Sequence, residues 1–320
     1  MIKNAQLKLK NKLKKIWIII NHLKNLSIVK GKKKQILIIC DGIISHGGLV
    51  DRLKGIISFY QIAKLTDFDF KIHFNNPFRL TEFLVPNSYN WTTTNIDLKW
   101  NPFNTSFLVL MDNFNFDPME SFTKSKKSNF IIYCNVNYLS KIYLNKSKIE
   151  VSLIWHNSYS ELFTPTKYFQ EKLEEIKIES KRIAVHTRFT SLMGDFKDTS
   201  NKTISNERKN EILKLLITEI NNISLANPNF QICIFSDSIQ FLNYVKSNTK
   251  FYVIDGTPIH IGLSPQKKNA QDHLKTFIDF YLIAQSTKIF LIKTDEMHNS
   301  AFSVYASKIE NTQFEKIELC

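Results

Sequence analysis

Apolar positions follow two alternating periods along this chain. Residues 35–40 (Gln-Ile-Leu-Ile-Ile-Cys) form a short, almost unbroken apolar run, which predicts a buried parallel strand. Residues 41–48 interrupt it with polar side chains and a glycine pair. Leu49, Leu53, Ile56, Ile57, Tyr60 and Ala63 then recur at helical steps over 49–64. Residues 68–74 alternate apolar and polar, as a strand does. Strand, loop, helix and strand in that order predict a βαβ unit. The stretch 77–128 is rich in Asn and aromatics, with a candidate strand at 107–110, and a further strand is predicted at 129–134. A helix over 158–162 precedes Pro165, which breaks the pattern.

The second half alternates regularly. Helix 166–178, strand 182–186, helix 205–225 opened by a cap-like Ser205, strand 230–235 and helix 239–246 follow one another. A short strand at 251–254, helix 271–285, strand 288–292 and helix 300–308 complete it. Such alternation predicts a doubly wound α/β domain. The expected organisation is a leader at 1–34, an N-terminal α/β domain at 35–164 and a C-terminal α/β domain at 165–320. No repeat of fixed period is present.

Charge sharpens that division. The net charge is +14, yet eleven lysines and no acid fall within residues 1–34, leaving +3 for the rest. The body is nearly neutral and carries no basic stripe with interleaved aromatics, so nucleic acid is not an expected partner. In the leader Leu9, Leu13, Ile16, Trp17, Ile20 and Leu23 recur at three- and four-residue steps among the lysines. A helix of that pattern can lie in an anionic membrane interface; the alternative is a basic tail partly ordered against the body. The leader's continuous apolar run covers residues 16–20. A spanning helix needs about 20 such residues and a signal peptide about 7–15. A cytoplasmic location, peripheral on the inner face of the membrane at most, is therefore expected. Cys40, Cys134, Cys233 and Cys320 lie far apart, and the first three sit in apolar runs, which fits buried small hydrophobes better than zinc or redox chemistry.

Four segments could carry chemistry. His46-Gly47-Gly48 with Asp51 and Arg52 lies at the first strand-to-helix junction, where glycine lets backbone approach a ligand and a helix N-terminus offers N–H groups. It matches neither the dinucleotide fingerprint nor the P-loop; a plain tight turn is the alternative. His186-Thr187-Arg188 ends a strand, with Gly194-Asp195 just after. Ligands bind at the C-terminal ends of parallel strands, and the Arg fork matches phosphate oxygens. An ion pair with Asp195 is the structural alternative for Arg188. Asp237-Ser238 also ends a strand, as ligand contact or helix cap. Ser300-Ala301-Phe302-Ser303 places small hydroxyls at a predicted helix start. Asp67-Phe68-Asp69 is a metal-type Asp-x-Asp, but it straddles a strand entrance, where Asp67 should end a helix and Asp69 should face water, so no metal is expected.

Taken in order, these segments resemble the fucosyltransferase superfamily that includes the nodulation α-1,6-fucosyltransferases and the protein O-fucosyltransferases. The resemblance rests on the glycine loop from Gly47 to Ile56, His186-Thr187-Arg188, Ser236-Asp237-Ser238 and Ser300-Ala301-Phe302-Ser303, with Leu162-Phe163-Thr164-Pro165 before the second domain. It spans residues 36–308. It implies an α/β fold of two Rossmann-like domains facing a cleft (GT-B type). It also implies metal-independent, inverting transfer of a sugar, fucose from GDP-fucose, to a glycan or lipid-linked saccharide, without a cofactor. The C-terminal domain would bind the nucleotide sugar and the N-terminal domain the acceptor. Arg188 would hold the donor pyrophosphate, His186, Asp237 and Ser238 would help bind the nucleotide, and Ser300, Phe302 and Ser303 would line its phosphates. His46, Gly47, Gly48 and Arg52 would form an acceptor or donor loop. Asp51, Asp195 and Asp41 are candidates for the base. Phe189-Thr190 follows His-x-Arg where members often carry Arg or Gly, and Val50-Asp51-Arg52 replaces the frequent Gly-Asn-Gln; both departures leave the donor sugar open. The competing readings are a catalytically inactive glycosyltransferase-like binding or scaffold protein at the membrane surface, and an adaptor whose basic leader is the main point.

Overall fold

A computed structural model of the chain describes residues 2–27, 34–196, 203–263 and 269–320; for residues 2–11 and 263 it describes the backbone alone. Of the leader positions, the side chains of Lys3, Lys8, Leu9 and Lys10, and all of Lys30, Lys32 and Lys33, lie outside the described residues. The chain divides into two compact units, Met1–Thr164 and Pro165–Cys320.

The first unit runs α1 (Ile2–Asn21), β1 (Gln35–Cys40), α2 (Leu49–Thr66), β2 (Asp69–Phe74), β3 (Leu84–Pro86), β4 (Thr105–Leu110), α3 (Pro118–Thr123), β5 (Asn129–Cys134), α4 (Leu139–Ile142), α5 (Lys148–Leu162) and β6 (Phe163–Pro165). Its main sheet is parallel, ordered β2-β1-β5-β4, and β3 pairs with β6 separately. β1 and β5 are buried along their whole length because both faces of the sheet are covered. On one face Ile18 of α1 packs with Leu37, Ile39, Phe107 and Ile131. On the other, α2 crosses β5 so closely that a Cβ on Gly55 would stand 2.4 Å from the Cys134 carbonyl oxygen. Gly55, part of the glycine-loop resemblance, is thus required by helix–sheet packing. α5 begins ten residues before the predicted helix, at a Ser147 cap whose hydroxyl accepts the Glu150 N–H.

The second unit runs α6 (Lys167–Glu174), β7 (Arg182–Thr187), α7 (Asn206–Ala226), β8 (Gln231–Ser236), α8 (Ile239–Asn248), β9 (Tyr252–Val253), α9 (Leu274–Ala284), β10 (Lys288–Thr294), α10 (Phe302–Ser307) and β11 (Gln313–Leu319). Its sheet is parallel throughout, ordered β11-β10-β7-β8-β9. Ile183 and Val185 of β7 pack with Leu216 and Ile220 of α7 and Phe241 and Val245 of α8 in one core cluster. Ser205 caps α7 as its sequence predicts, accepting the Arg208 N–H. The sequence pattern does not predict β11, an edge strand whose exposed Glu315, Lys316 and Glu318 are interspersed with half-buried Phe314, Ile317 and Leu319.

Both sheets have a switch point, where chain progression along the sheet reverses. In the first unit it lies between β1 and β5, in the second between β7 and β10. Crevices at the carboxyl ends of such neighbouring strands are where open α/β sheets take ligands.

Candidate functional site

The second unit brings three of the four predicted segments together around its switch point. β7 ends in His186-Thr187, and Arg188 follows directly. His186 is buried, its Nδ1 lies 3.0 Å from Ser303 Oγ, and its ring packs against Phe302 at 5.7 Å. Burial, and then the Arg188 charge, push its pKa down to about 3, so the imidazole is neutral at ordinary pH. Its tautomer follows from whether Nδ1 gives or takes the Ser303 bond. The loop after β10 joins the same place, since the His298 N–H donates to the Arg188 carbonyl at 3.2 Å.

Asp237, expected to contact the nucleotide, turns back onto the chain. Its Oδ1 accepts the Phe189 N–H and its Oδ2 the Thr190 N–H, each at 2.8 Å, and Arg188 Nε stands 3.8 Å from Oδ2. The carboxylate thereby holds the loop that carries Arg188. The loop needs holding: Thr190 is β-branched yet has a φ of 56°, in the left-handed region such residues avoid. Burial pushes the Asp237 pKa up to about 6 despite the opposing pull of Arg188 and the two N–H groups. Arg188 therefore pairs with Asp237, while Asp195 does something else. Asp195 Oδ2 accepts the Ser238 hydroxyl at 2.9 Å and the Gln240 N–H at 2.7 Å, and Ser238 in turn caps α8 by accepting the Phe241 N–H. The Arg188 side chain keeps 19% exposure, with its guanidinium over the Phe196 ring at 5.8 Å. The hydroxyls of Ser300 and Ser303 face the Phe302 N–H and His186. Both serines are buried, and α10, which they precede and enter, has six residues.

In the first unit the glycine loop surrounds the end of β1. Gly47 has a φ of 76°, and a Cβ there would meet Asp51 Oδ2 at 2.5 Å. Asp51 caps α2: its Oδ2 accepts the Gly48 N–H at 3.3 Å and its Oδ1 the Lys54 ammonium at 2.9 Å. Arg52 is buried and donates to the carbonyls of Gly47 and Asn76, at 3.4 and 2.6 Å, with its guanidinium over Phe74. It stitches the loop to the end of β2 instead of presenting its charge outward.

Beside it lies a cluster of which sequence reasoning named Asp41 and His46 but missed Tyr133 and His22. Tyr133, on β5, donates its hydroxyl to Asp41 Oδ2 at 2.7 Å and lies 2.8 Å from Nε2 of His22, which belongs to the leader. The buried His46 ring stacks on Tyr133 at 5.5 Å, and its Nδ1 donates to the Ile44 carbonyl. Burial lowers the pKa of His46 to about 3 and that of His22 below its usual value, and raises the Tyr133 phenol. A neutral His22, a protonated Tyr133 and Asp41 thus form a hydrogen-bonded chain at the β1–β5 switch point. The one available signal was a tyrosine in an otherwise apolar strand, whose buried hydroxyl needs a partner. The Asp-x-Asp pair is spent locally: Asp67 closes α2 in the left-handed conformation, and Asp69 accepts the Tyr89 hydroxyl at 3.1 Å where exposure to water was expected. Among the described residues no group of three or more His, Cys, Asp or Glu side chains is placed to hold a metal ion.

The structure is similar to that of the fucosyltransferase NodZ from Bradyrhizobium, with a TM-score of 0.52 and 14% identity over 86% of this chain and 92% of that one. It is similar to NodZ α-1,6-fucosyltransferase soaked with GDP-fucose, with a TM-score of 0.53 and 15% identity over 87% and 93% of the two chains. The same enzyme co-crystallised with GDP gives a TM-score of 0.53 and 14% identity over 87% and 92%. No protein-family model and no curated protein sequence matches the chain. The likeness establishes the fold: this chain has the α/β, GT-B-type fold of those fucosyltransferases.

Proposed function

We propose that the chain is a glycosyltransferase that moves a sugar, with GDP-fucose as the first donor to test, onto a saccharide acceptor without a metal and with inversion. The observation that carries this reading is Arg188. It stands at the β7–β10 switch point, on a loop fixed by Asp237 and beside a neutral, buried His186, in a fold shared with structures solved with GDP-fucose and GDP. In the proposed reaction the bond from the sugar's anomeric carbon to the donor phosphate oxygen breaks, and its electron pair leaves with the nucleoside diphosphate. The guanidinium of Arg188 stabilises the charge that develops there. The anomeric carbon bonds to an acceptor hydroxyl, whose proton passes to a carboxylate.

Asp41 suits that last role better than Asp51 or Asp195. Those two are engaged in capping helices. Asp41 accepts the Ile43 N–H on Oδ1, and its Oδ2 is linked to Tyr133 and through it to His22, side chains that can rearrange protons along a hydrogen-bonded chain. The first unit would then present the acceptor and the second hold the donor.

Calorimetric titration with GDP and with UDP, on the wild type and on Arg188→Ala, tests this reading. GDP should bind, UDP should bind at least tenfold more weakly, and the variant should lose GDP while staying folded. A folded wild type that binds neither nucleotide would overturn it in favour of the inactive binding or scaffold protein.

A further inference from the structure

The outer face of α1 is apolar and uncovered, and the helix cannot turn to hide it. Leu13, Ile16, Trp17, Ile20 and Leu23 are each between 45% and 58% exposed. Four of them fall at steps of three and four residues on α1, and Leu23 continues the stripe one turn further on. At about 100° per residue, Lys12 and Lys14 project to either side of Leu13. Lys12, Lys15 and Lys24 are exposed as well. The opposite face is committed to the first unit. Ile18 is fully buried against β1, β4 and β5, His22 reaches Tyr133, and the Trp100 indole donates to the His22 carbonyl at 2.8 Å. Rolling the helix inward would expose Ile18 and break both polar contacts.

We propose that this face docks on an anionic lipid bilayer, with α1 lying parallel to the membrane and its stripe sunk to the level of the acyl-chain boundary. Charge complementarity selects that occupant. The stripe is flanked by lysines, and residues 1–34 contain no acid. Such a helix combines apolar burial with attraction to anionic headgroups. Among the described residues no helix is long and apolar enough to cross a membrane, so the contact is interfacial. Docking is independent of the proposed transfer reaction and is read without turnover.

Trp17 supplies the assay. The other three tryptophans, Trp91, Trp100 and Trp155, are buried, so a change in emission on lipid binding reports Trp17. The intact chain is mixed with vesicles of phosphatidylcholine alone or with a third phosphatidylglycerol, then followed by co-sedimentation and tryptophan emission. Binding to the anionic vesicles should exceed binding to the neutral ones at least tenfold, weaken as salt rises, and shift Trp17 emission to the blue. Trp17→Phe should sediment like the wild type without the shift. Leu13→Ser with Ile20→Ser, which spares Ile18, should lower binding at least tenfold with the circular dichroism spectrum unchanged. Three results would overturn the proposal: no vesicle binding by the folded chain, anionic binding that survives the stripe substitutions, or self-association that those substitutions abolish.

Discussion

Replacing Asp237 by Asn separates the stability of the second unit from its proposed function. Asp237 is buried with both oxygens on backbone N–H groups, and its pKa is pushed up to about 6. A carboxyl pKa raised on folding stabilises the native state fully below its unfolded value near 3.9 and loses that contribution as pH rises through about 6. At 1.36 kcal/mol per unit, the raised pKa costs about 3 kcal/mol at pH 7, where Asp237 is ionised in both states; at pH 5 the native carboxyl is mostly protonated and the cost is roughly half that. Asn removes this cost but turns an amide NH2 toward one of the two N–H donors, leaving it unsatisfied at about 1–3 kcal/mol. The two effects nearly cancel at pH 7. Relative to wild type, Asp237→Asn should therefore gain about 1–2 kcal/mol between pH 5 and pH 7, which is about 0.5–1 M in urea midpoint for a slope near 2 kcal/mol per molar. Nucleotide binding should nevertheless fall at least tenfold, because the loop carrying Arg188 loses an anchor that holds Thr190 in its strained conformation. Urea titrations by far-ultraviolet circular dichroism at both pH values, with GDP calorimetry, check this. A stability difference that does not change with pH, or an unchanged GDP affinity, would refute the reasoning.

Gly55→Ala should destabilise the chain by about 1–3 kcal/mol in urea unfolding, because overpacking against the Cys134 carbonyl outweighs alanine's better helix propensity. His46 and His186, both lowered by burial to about 3, work opposite to Asp237. Their contribution is complete above pH 6.5 and fades as pH falls toward 3, so His46→Gln should flatten the pH dependence of the unfolding free energy below 6.5 by up to about 1.4 kcal/mol per pH unit, read from urea titrations. Asp41→Asn should reduce transfer on a saccharide acceptor by 10²–10⁴-fold, the usual range for a general base, and leave GDP affinity within twofold of wild type, as calorimetry would show.

Buried strands were the most legible elements. β1 and β5 fall on the residues predicted for them, because a strand covered on both faces has a nearly continuous apolar run that marks its extent. β11 escaped for the opposite reason: on a sheet edge, Glu315, Lys316 and Glu318 face solvent, and the pattern matches a polar tail. The start of α5 was available in Ser147-Lys-Ile-Glu150, a capping box that periodicity alone passes over. At the candidate site, the placement of His186, Arg188 and Asp237 at strand ends followed from the pattern. Their partners did not. That Asp237 reaches back 47 residues to Thr190, that Asp195 serves α8, or that His22 meets Asp41 depends on how strands lie side by side, which one chain's spacing does not encode.

The division at Thr164–Pro165 leaves each cluster whole. Asp41, His46, Asp51, Arg52 and Tyr133 all precede it, with His22; His186, Arg188, Asp195, Asp237, Ser300 and Ser303 all follow. A recombination event at that single point would transplant either set with every side-chain partner described for it. Chimeras joined at 164/165 with halves from other proteins of this fold are thus a direct route to testing each cluster's proposed role, donor or acceptor selection, apart from the other.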